Sequence, residues 1–127
     1  MDALRNVYSA LGPNGELVDL HPVPPAMLVE SRGEPLGRVD ESAFFPVLRA
    51  TEGALQGLVE AGLFELSAER EFDWLQRWDD GAELLADFEE DEFVRVPAAL
   101  GKRIRSGEPP FDVRVRLVLR RFARRPG

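Results

Sequence analysis

The sequence predicts an α/β protein, α+β by the order of its elements, in which a small mixed sheet of about three main strands packs with helices. Three observations predict this class. Apolar residues recur at helical spacing in several stretches. Two long stretches, 63–78 and 111–119, instead alternate with period two. Gly and Pro cluster at the breaks between these stretches. The length of 127 residues favours one domain, 1–127.

The first elements are a helix, a short strand and a hairpin. Apolar residues on one helical face predict a helix over 2–11. The turn that follows contains Asn14 and Gly15, which tolerate positive φ. A nearly continuous apolar run then predicts a strand at 16–21. Two short extended pieces around a Gly-Glu-Pro centre predict a β-hairpin at 27–39.

The remaining elements alternate between helices and long strands. A helix is predicted over 44–62, where Asp40 or Ser42 provides the N-cap and Gly62 the end. Apolar residues at even positions predict a strand over 63–78. Asp80 with Glu83 resembles a capping pair for the next helix, and Pro97 suits the first turn of another. The clean alternation of 111–119 predicts the last strand.

Composition excludes several classes of function. The acidic net charge of -7 disfavours nucleic acid as a partner. No apolar run is long enough to cross a membrane, and the first residues do not resemble a secretory signal. The absence of Cys excludes disulfide and thiolate chemistry. We therefore expect a cytoplasmic protein without a nucleic-acid or membrane partner. The acidic stretch 79–92 and the Arg-rich stretch 114–125 are expected to attract each other.

Four stretches of the chain resemble class I S-adenosylmethionine-dependent methyltransferases. In LGPNG, the residues Leu11, Pro13 and Gly15 match a Leu-x-Pro-Gly-Gly stretch that often precedes the fifth strand of that family, and Asn14 replaces the first Gly. The later stretches resemble the helix entering the sixth strand, a helical insertion and the seventh strand: EAGLFEL at 60–66, RWDDGAELL at 77–85 and VRVRLVLRRF at 114–122. The resemblance covers essentially the whole chain but only the C-terminal half of the family's Rossmann-like domain.

The resemblance has two implications. The strand at 111–122 should lie between 16–21 and 63–77 and run antiparallel to both. The half that holds the cofactor in that family has no counterpart here. None of the eleven glycines forms a Gly-x-Gly-x-x-Gly loop between a strand and a helix. The resemblance therefore implies no cofactor-binding residue in this chain and no S-adenosylmethionine in isolation, unless a partner chain supplies the binding half.

A few side chains are candidates for chemistry. His21, the only histidine, shares a strand face with Asp19, so the two are weak candidates for a catalytic pair. A structural histidine is the competing interpretation. Phe72, Trp74 and Trp78 are candidates for an apolar ligand face, with core packing as the competing interpretation. The chain has too few His and Cys residues for a zinc site, so we predict no metal.

Three functions remain open. The leading hypothesis is a methyltransferase-like interaction or assembly module that lacks the cofactor-binding half and is not an enzyme on its own. The alternatives are the C-terminal part of a split or truncated methyltransferase, which a partner chain would complete, and a small-molecule-binding protein. Because the strand at 16–21 should present an unpaired edge, we also expect a homodimer.

Overall fold

The computed structural model of the protein describes residues 2–126, with side chains from Arg5 onward. The α/β fold class is confirmed, and the elements follow the predicted order with only small differences in their bounds. These elements are α1 (Asp2–Ala10), β1 (Glu16–Pro22), β2 (Leu28–Ser31), β3 (Glu34–Arg38), α2 (Phe45–Glu60), β4 (Phe64–Trp78), α3 (Gly81–Glu90), α4 (Ala98–Ser106) and β5 (Phe111–Arg124). Within the described residues, no helix has the length and apolar character needed to span a membrane.

The strands form a five-stranded sheet that is organised around β5. The strand order is β1-β5-β2-β3, and β4 also pairs with β5. Arg124 N–H donates to Gly15 C=O, while Val23 N–H donates to Arg116 C=O, so β1 and β5 run antiparallel. The predicted position of 111–122, paired with both 16–21 and 63–77, is confirmed. The pairings that the structure describes are antiparallel, so the small sheet expected to be mixed is an open antiparallel one.

The predicted hairpin at 27–39 is confirmed as β2 and β3. Ser31 pairs with Glu34, so Arg32 and Gly33 form a two-residue turn. Both turn residues have positive φ, 51° and 85°, as a type I′ turn requires. The hairpin also joins the sheet, because Val29 pairs with Val113 of β5.

The turn between α1 and β1 differs from the expectation in one respect. Gly15 N–H donates to Gly12 C=O at 2.9 Å, which closes the turn. Neither Asn14 nor Gly15 has positive φ. An idealised Cβ at Gly15 would instead lie 2.7 Å from Leu11 Cβ. The glycine is therefore needed for close approach to the end of the helix rather than for a left-handed backbone.

The chain packs as two compact units. The terminal unit contains the chain up to His21, Val47–Glu71 and the chain from Val118 onward. The central unit contains Pro22–Pro46 and Phe72–Leu117. Each unit has its own apolar core. The two units share one sheet, so their presence neither confirms nor contradicts a single domain over 1–127. The single domain stays a prediction.

The core of the central unit lies around the start of β5. Phe111, Val113, Val115 and Leu117 are buried at alternate positions of that strand. The helices add residues at helical spacing: Leu84 and Phe88 from α3, and Leu100 and Ile104 from α4. The Asp80 carboxylate accepts a hydrogen bond from Ala82 N–H, as expected for the N-cap of α3.

The core of the terminal unit is smaller and is built around aromatic residues. Phe64 and Phe122 are buried with Leu55 and Leu58 of α2. Tyr8 packs edge-on against Phe64, with ring centroids 5.5 Å apart. Its hydroxyl donates to the Arg125 carbonyl, and the Arg124 guanidinium lies 4.2 Å from the centre of its ring. Tyr8 thus fixes α1 to the end of β5.

The alternation of apolar residues in 63–78 correctly predicts the strand β4, but the structure does not bury the face on which these residues lie. Phe64 is buried, yet the residues from Glu65 to Glu71 are exposed. Leu66 and Trp74, which share the even face, are 43% and 50% exposed. In the described structure β4 pairs with β5 alone and lies at an edge. The alternation of apolar residues along 63–78 therefore indicates an extended strand, but it does not mean that the even-numbered face is buried.

The central core gives a first prediction, on stability. Leu84 is fully buried, so Leu84→Ala should lower the free energy of unfolding by about 3 kcal/mol, through lost transfer energy and a residual cavity. Leu75 is 48% exposed, so Leu75→Ala should change it by less than about 1 kcal/mol. Urea unfolding followed by circular dichroism measures both, and equal losses would contradict this assignment of the core.

Candidate functional site

The first candidate site is a polar cluster in the terminal unit, here called the His21 cluster: Asp19, His21, Glu52, Glu69 and Arg120. Four elements supply it. Asp19 and His21 are two residues apart on β1, so their side chains project from the same strand face. Glu52 comes from α2, Glu69 from β4 and Arg120 from β5. The spacing of Asp19 and His21 predicts that these two residues lie together, whereas the other three residues come from distant parts of the chain.

His21 lies between two carboxylates. Its Nδ1 is 2.5 Å from Asp19 Oδ2, and its Nε2 is 3.1 Å from Glu52 Oε1. The contact with Glu52 is a hydrogen bond, and the Asp19 carboxylate lies at ion-pair distance on the other side of the ring. A neutral imidazole has one N–H and can donate to one carboxylate, whereas an imidazolium has an N–H on both nitrogens.

Arg120 extends the cluster from β5 towards β4. Its Nη1 lies 3.3 Å from Glu52 Oε1, and its Nε lies 2.7 Å from Glu69 Oε2. The hydrogen bond from His21 holds the pKa of Glu52 below its ordinary value. Partial burial opposes this shift, and Arg120 adds to it. The ionised form of Glu52 is therefore stabilised by the fold.

This geometry is that of an ion-pair network. A histidine beside a carboxylate resembles the pair that a general base requires. However, the Nε2 atom that would face a substrate is already engaged by Glu52. Within the described residues, no group of three His, Cys, Asp or Glu side chains is arranged to hold a metal ion. The catalytic role of His21 and Asp19 stays a prediction, and the contacts favour a structural role.

The second candidate site is a cleft in the central unit, here called the helix cleft. It is lined by α3, by α4 and by the segment at 94–97 between them, and its volume is about 1070 Å³. Its apolar floor consists of Leu85, Phe88, Val94, Val96, Ile104 and Phe111. Its charged lining residues are Asp79, Asp80, Glu89, Arg95, Lys102 and Arg105. No pattern in the sequence indicated this cleft, because the cleft depends on how two separately predicted helices pack.

The three aromatic residues proposed as a ligand face do not line the helix cleft. Phe72 and Trp78 pack against the core of the central unit, where they are partly buried. Trp78 also donates from its indole Nε1 to Asp87 Oδ2. Trp74 is half-exposed on β4. Their role in ligand binding stays a prediction, and the packing of Phe72 and Trp78 agrees with the alternative of core residues.

One buried carboxyl group lies outside both sites. Glu41 is only 7% exposed and accepts a hydrogen bond from Met27 N–H at 2.9 Å. Burial raises its pKa, the hydrogen bond from Met27 opposes the shift, and Asp91 adds to it. The group ties the start of the hairpin to the residues before α2, and a structural role accounts for its contacts.

The comparisons with known proteins give no family for this chain. No protein-family model matches it, and neither a curated protein nor a solved structure does. Evidence for a function therefore comes from the geometry of the chain itself.

The His21 cluster predicts how stability depends on pH. The pKa of Glu52 is lower in the folded chain than in the unfolded one. Its ionised carboxylate therefore stabilises the fold above the ordinary carboxyl pKa of about 4.3, and this stabilisation is lost as pH falls through the pKa of the folded chain. Glu52→Gln should therefore lower the free energy of unfolding by about 0.5–1 kcal/mol at pH 7, because the site is partly exposed. This difference from the unmodified chain should shrink as pH falls below the ordinary carboxyl pKa and vanish below the folded one.

The matched control is Glu60→Gln, near the end of the same helix. The Glu60 carboxylate contacts the exposed Gln56 amide rather than a charged group. This variant should leave the pH profile of stability unchanged. Denaturant unfolding across the acidic range tests both variants, and parallel profiles for Glu52→Gln and the unmodified chain would contradict the prediction.

Proposed function

We propose that the protein is an assembly module and that the outer edge of β1 pairs with β1 of a second copy. The observation that carries this proposal is an unpaired strand edge with exposed apolar side chains. The chain would not be an enzyme on its own. A cytoplasmic location, suggested by the lack of Cys, is part of the same proposal.

The free edge of β1 follows from its hydrogen bonds. The Gly15 C=O and the Val23 N–H, just outside the strand, are hydrogen-bonded to β5. In an antiparallel ladder the direction of the backbone groups alternates along the chain. Odd-numbered residues of β1 therefore point to β5, while Glu16, Val18 and Leu20 direct N–H and C=O groups away from it. Because β1 is at the end of the strand order, these groups have no strand partner within the described residues.

The side chains along this edge favour association. Val18 and Leu20 are 57% and 56% exposed. Charged edge residues normally prevent strands from pairing. The long edge strand β4 has that protection, because Glu65, Glu69 and Arg77 are distributed along it. β1 has only Glu16 on its exposed face, so it is the less protected edge.

A second copy fits this edge better than an unrelated strand. A two-fold axis places one β1 antiparallel to another with the same groups exposed, and isologous contacts of this kind are the commonest. A register in which Val18 faces Val18 of the second copy uses the outward backbone groups of Glu16, Val18 and Leu20. It also avoids placing the two Asp19 residues opposite each other, which would be destabilising.

A split methyltransferase is the second candidate, and one observation favours it. The antiparallel strand β5 pairs with both β1 and β4, which is the order that the methyltransferase resemblance implies. In that family the fourth strand would occupy the free edge of β1. A partner chain that supplies the cofactor-binding half could therefore use the same edge.

The assembly proposal predicts self-association that depends on Val18. Sedimentation equilibrium at about 100 μM should show a dimer, since an edge contact of modest area should give a dissociation constant on the order of 10 μM. Val18→Lys should make the protein monomeric without unfolding it, because the side chain is exposed and lysine disfavours edge pairing.

The control for this variant is Leu66→Lys, an exposed apolar position of the same unit on β4. It introduces the same charge away from β1 and should leave the dimer intact. A monomeric unmodified chain, or a Val18→Lys protein that still dimerises, would overturn the proposed interface. Circular dichroism should show that both variants remain folded.

The same proposal predicts that the isolated chain binds S-adenosylmethionine weakly or not at all. The sequence contains no glycine-rich loop between a strand and a helix, so the polar groups of the cofactor lack arranged partners. Isothermal titration should give no dissociation constant at or below about 1 μM. Binding that tight would contradict a module without a cofactor site.

A further inference from the structure

The helix cleft has a size and lining that assembly through β1 does not use. Its volume of about 1070 Å³ is comparable to that of small-molecule sites, roughly 300–1,000 Å³. Buried Ile104 and Phe111 form part of its floor, with the partly buried Leu85 above the core. Such a floor favours a ligand with an apolar body.

Two cations of α4 line this cleft without a carboxylate partner. Lys102 and Arg105 form no salt bridge within the described residues, although the net charge of the chain is -7. An idealised Cβ at Gly101 would lie 3.6 Å from both Arg105 Nη1 and Nη2, so the guanidinium lies beside the bare backbone of Gly101. The cleft therefore combines an apolar floor with an uncompensated guanidinium.

The acidic residues of the cleft are partly committed elsewhere. The Asp80 carboxylate caps α3 through Ala82 N–H. Asp79 acts electrostatically on Arg77, whose guanidinium is paired with Asp112. Glu89, the third acidic lining residue, forms no salt bridge within the described residues, so two unpaired cations of α4 face one unpaired carboxylate.

We propose that the helix cleft binds a small organic anion with an apolar body, of the class of medium-chain carboxylates. The apolar chain lies on the floor formed by Leu85, Ile104 and Phe111. The carboxylate pairs with Arg105, whose planar guanidinium matches it in bidentate geometry, and Lys102 adds a second positive charge. Charge complementarity selects an anion, and the floor selects its apolar chain.

Calorimetric titration of the full chain with decanoate tests this proposal, with decanol and acetate as matched ligands. Decanol has the alkyl chain of decanoate without its charge, and acetate has the carboxylate without the long alkyl chain. We expect decanoate to bind with a dissociation constant on the order of 100 μM, decanol at least tenfold more weakly, and acetate without measurable affinity. Equal affinities for decanoate and decanol would overturn the proposed role of the cations.

Variants of the chain locate the binding. The double variant Lys102→Gln/Arg105→Gln should weaken decanoate binding about tenfold or more and leave decanol binding unchanged. Ala86→Trp should weaken the binding of both decanoate and decanol, because Ala86 lines the cleft and the indole ring would occupy part of the cleft volume. The control Arg49→Gln removes an exposed cation of α2 in the terminal unit and should change the affinity for neither decanoate nor decanol.

Two further results would overturn the proposal. One is the absence of decanoate binding at about 1 mM, a concentration that detects even a weak site. The other is decanoate affinity that is the same in the double variant and the unmodified chain, which would place the ligand elsewhere, including at the exposed residues of β1. Thermal unfolding of each variant shows whether a loss of binding reflects a loss of fold. Assembly through Val18 is independent of every outcome.

Discussion

The strand β5 is the constraint on which the other elements depend. It pairs with β1, β2 and β4, and it contributes side chains to both cores. Its buried positions are odd-numbered from Phe111 to Leu117 and become even-numbered at Val118 and Phe122. The change occurs where the two compact units divide. A strand that contributes to two cores in this way needs apolar side chains first on one face and then on the other. The adjacent buried residues Leu117 and Val118 mark the change of face.

The arginines between these buried positions hold the neighbouring strands by charge. Arg114 contacts Glu30 of β2, Arg120 contacts Glu69 of β4, and Arg121 contacts Glu16 of β1. The sequence had suggested that the Arg-rich stretch attracts the acidic stretch 79–92. These three arginines instead pair with acids that the sheet register brings beside them, because adjacent strands place side chains within reach regardless of their separation in sequence. Exposed pairs of this kind contribute specificity of register more than stability.

The functional surfaces follow from how each unit uses its polar residues. On β1, the face that bears Asp19 and His21 is closed by Glu52 and Arg120, so the strand offers its outer backbone edge and the side chains of Val18 and Leu20. In the central unit the helices leave a cleft in which Lys102 and Arg105 form no salt bridge within the described residues. We propose the first surface for pairing with a second copy and the second for a small anion, because in each the fold leaves polar or charged groups without a described partner.

Local sequence patterns determined the elements of this protein, and tertiary contacts determined its sites. Helical spacing, strand alternation and the Gly and Pro breaks predicted every helix and strand, since these signals act within a few residues. The spacing of Asp19 and His21 also placed them on one face. Only the folded chain could bring Glu52 and Arg120 to His21, leave β4 largely exposed despite its alternation, and open a cleft between α3 and α4. These features depend on which surfaces meet across long separations in sequence, and local spacing carries no information about that.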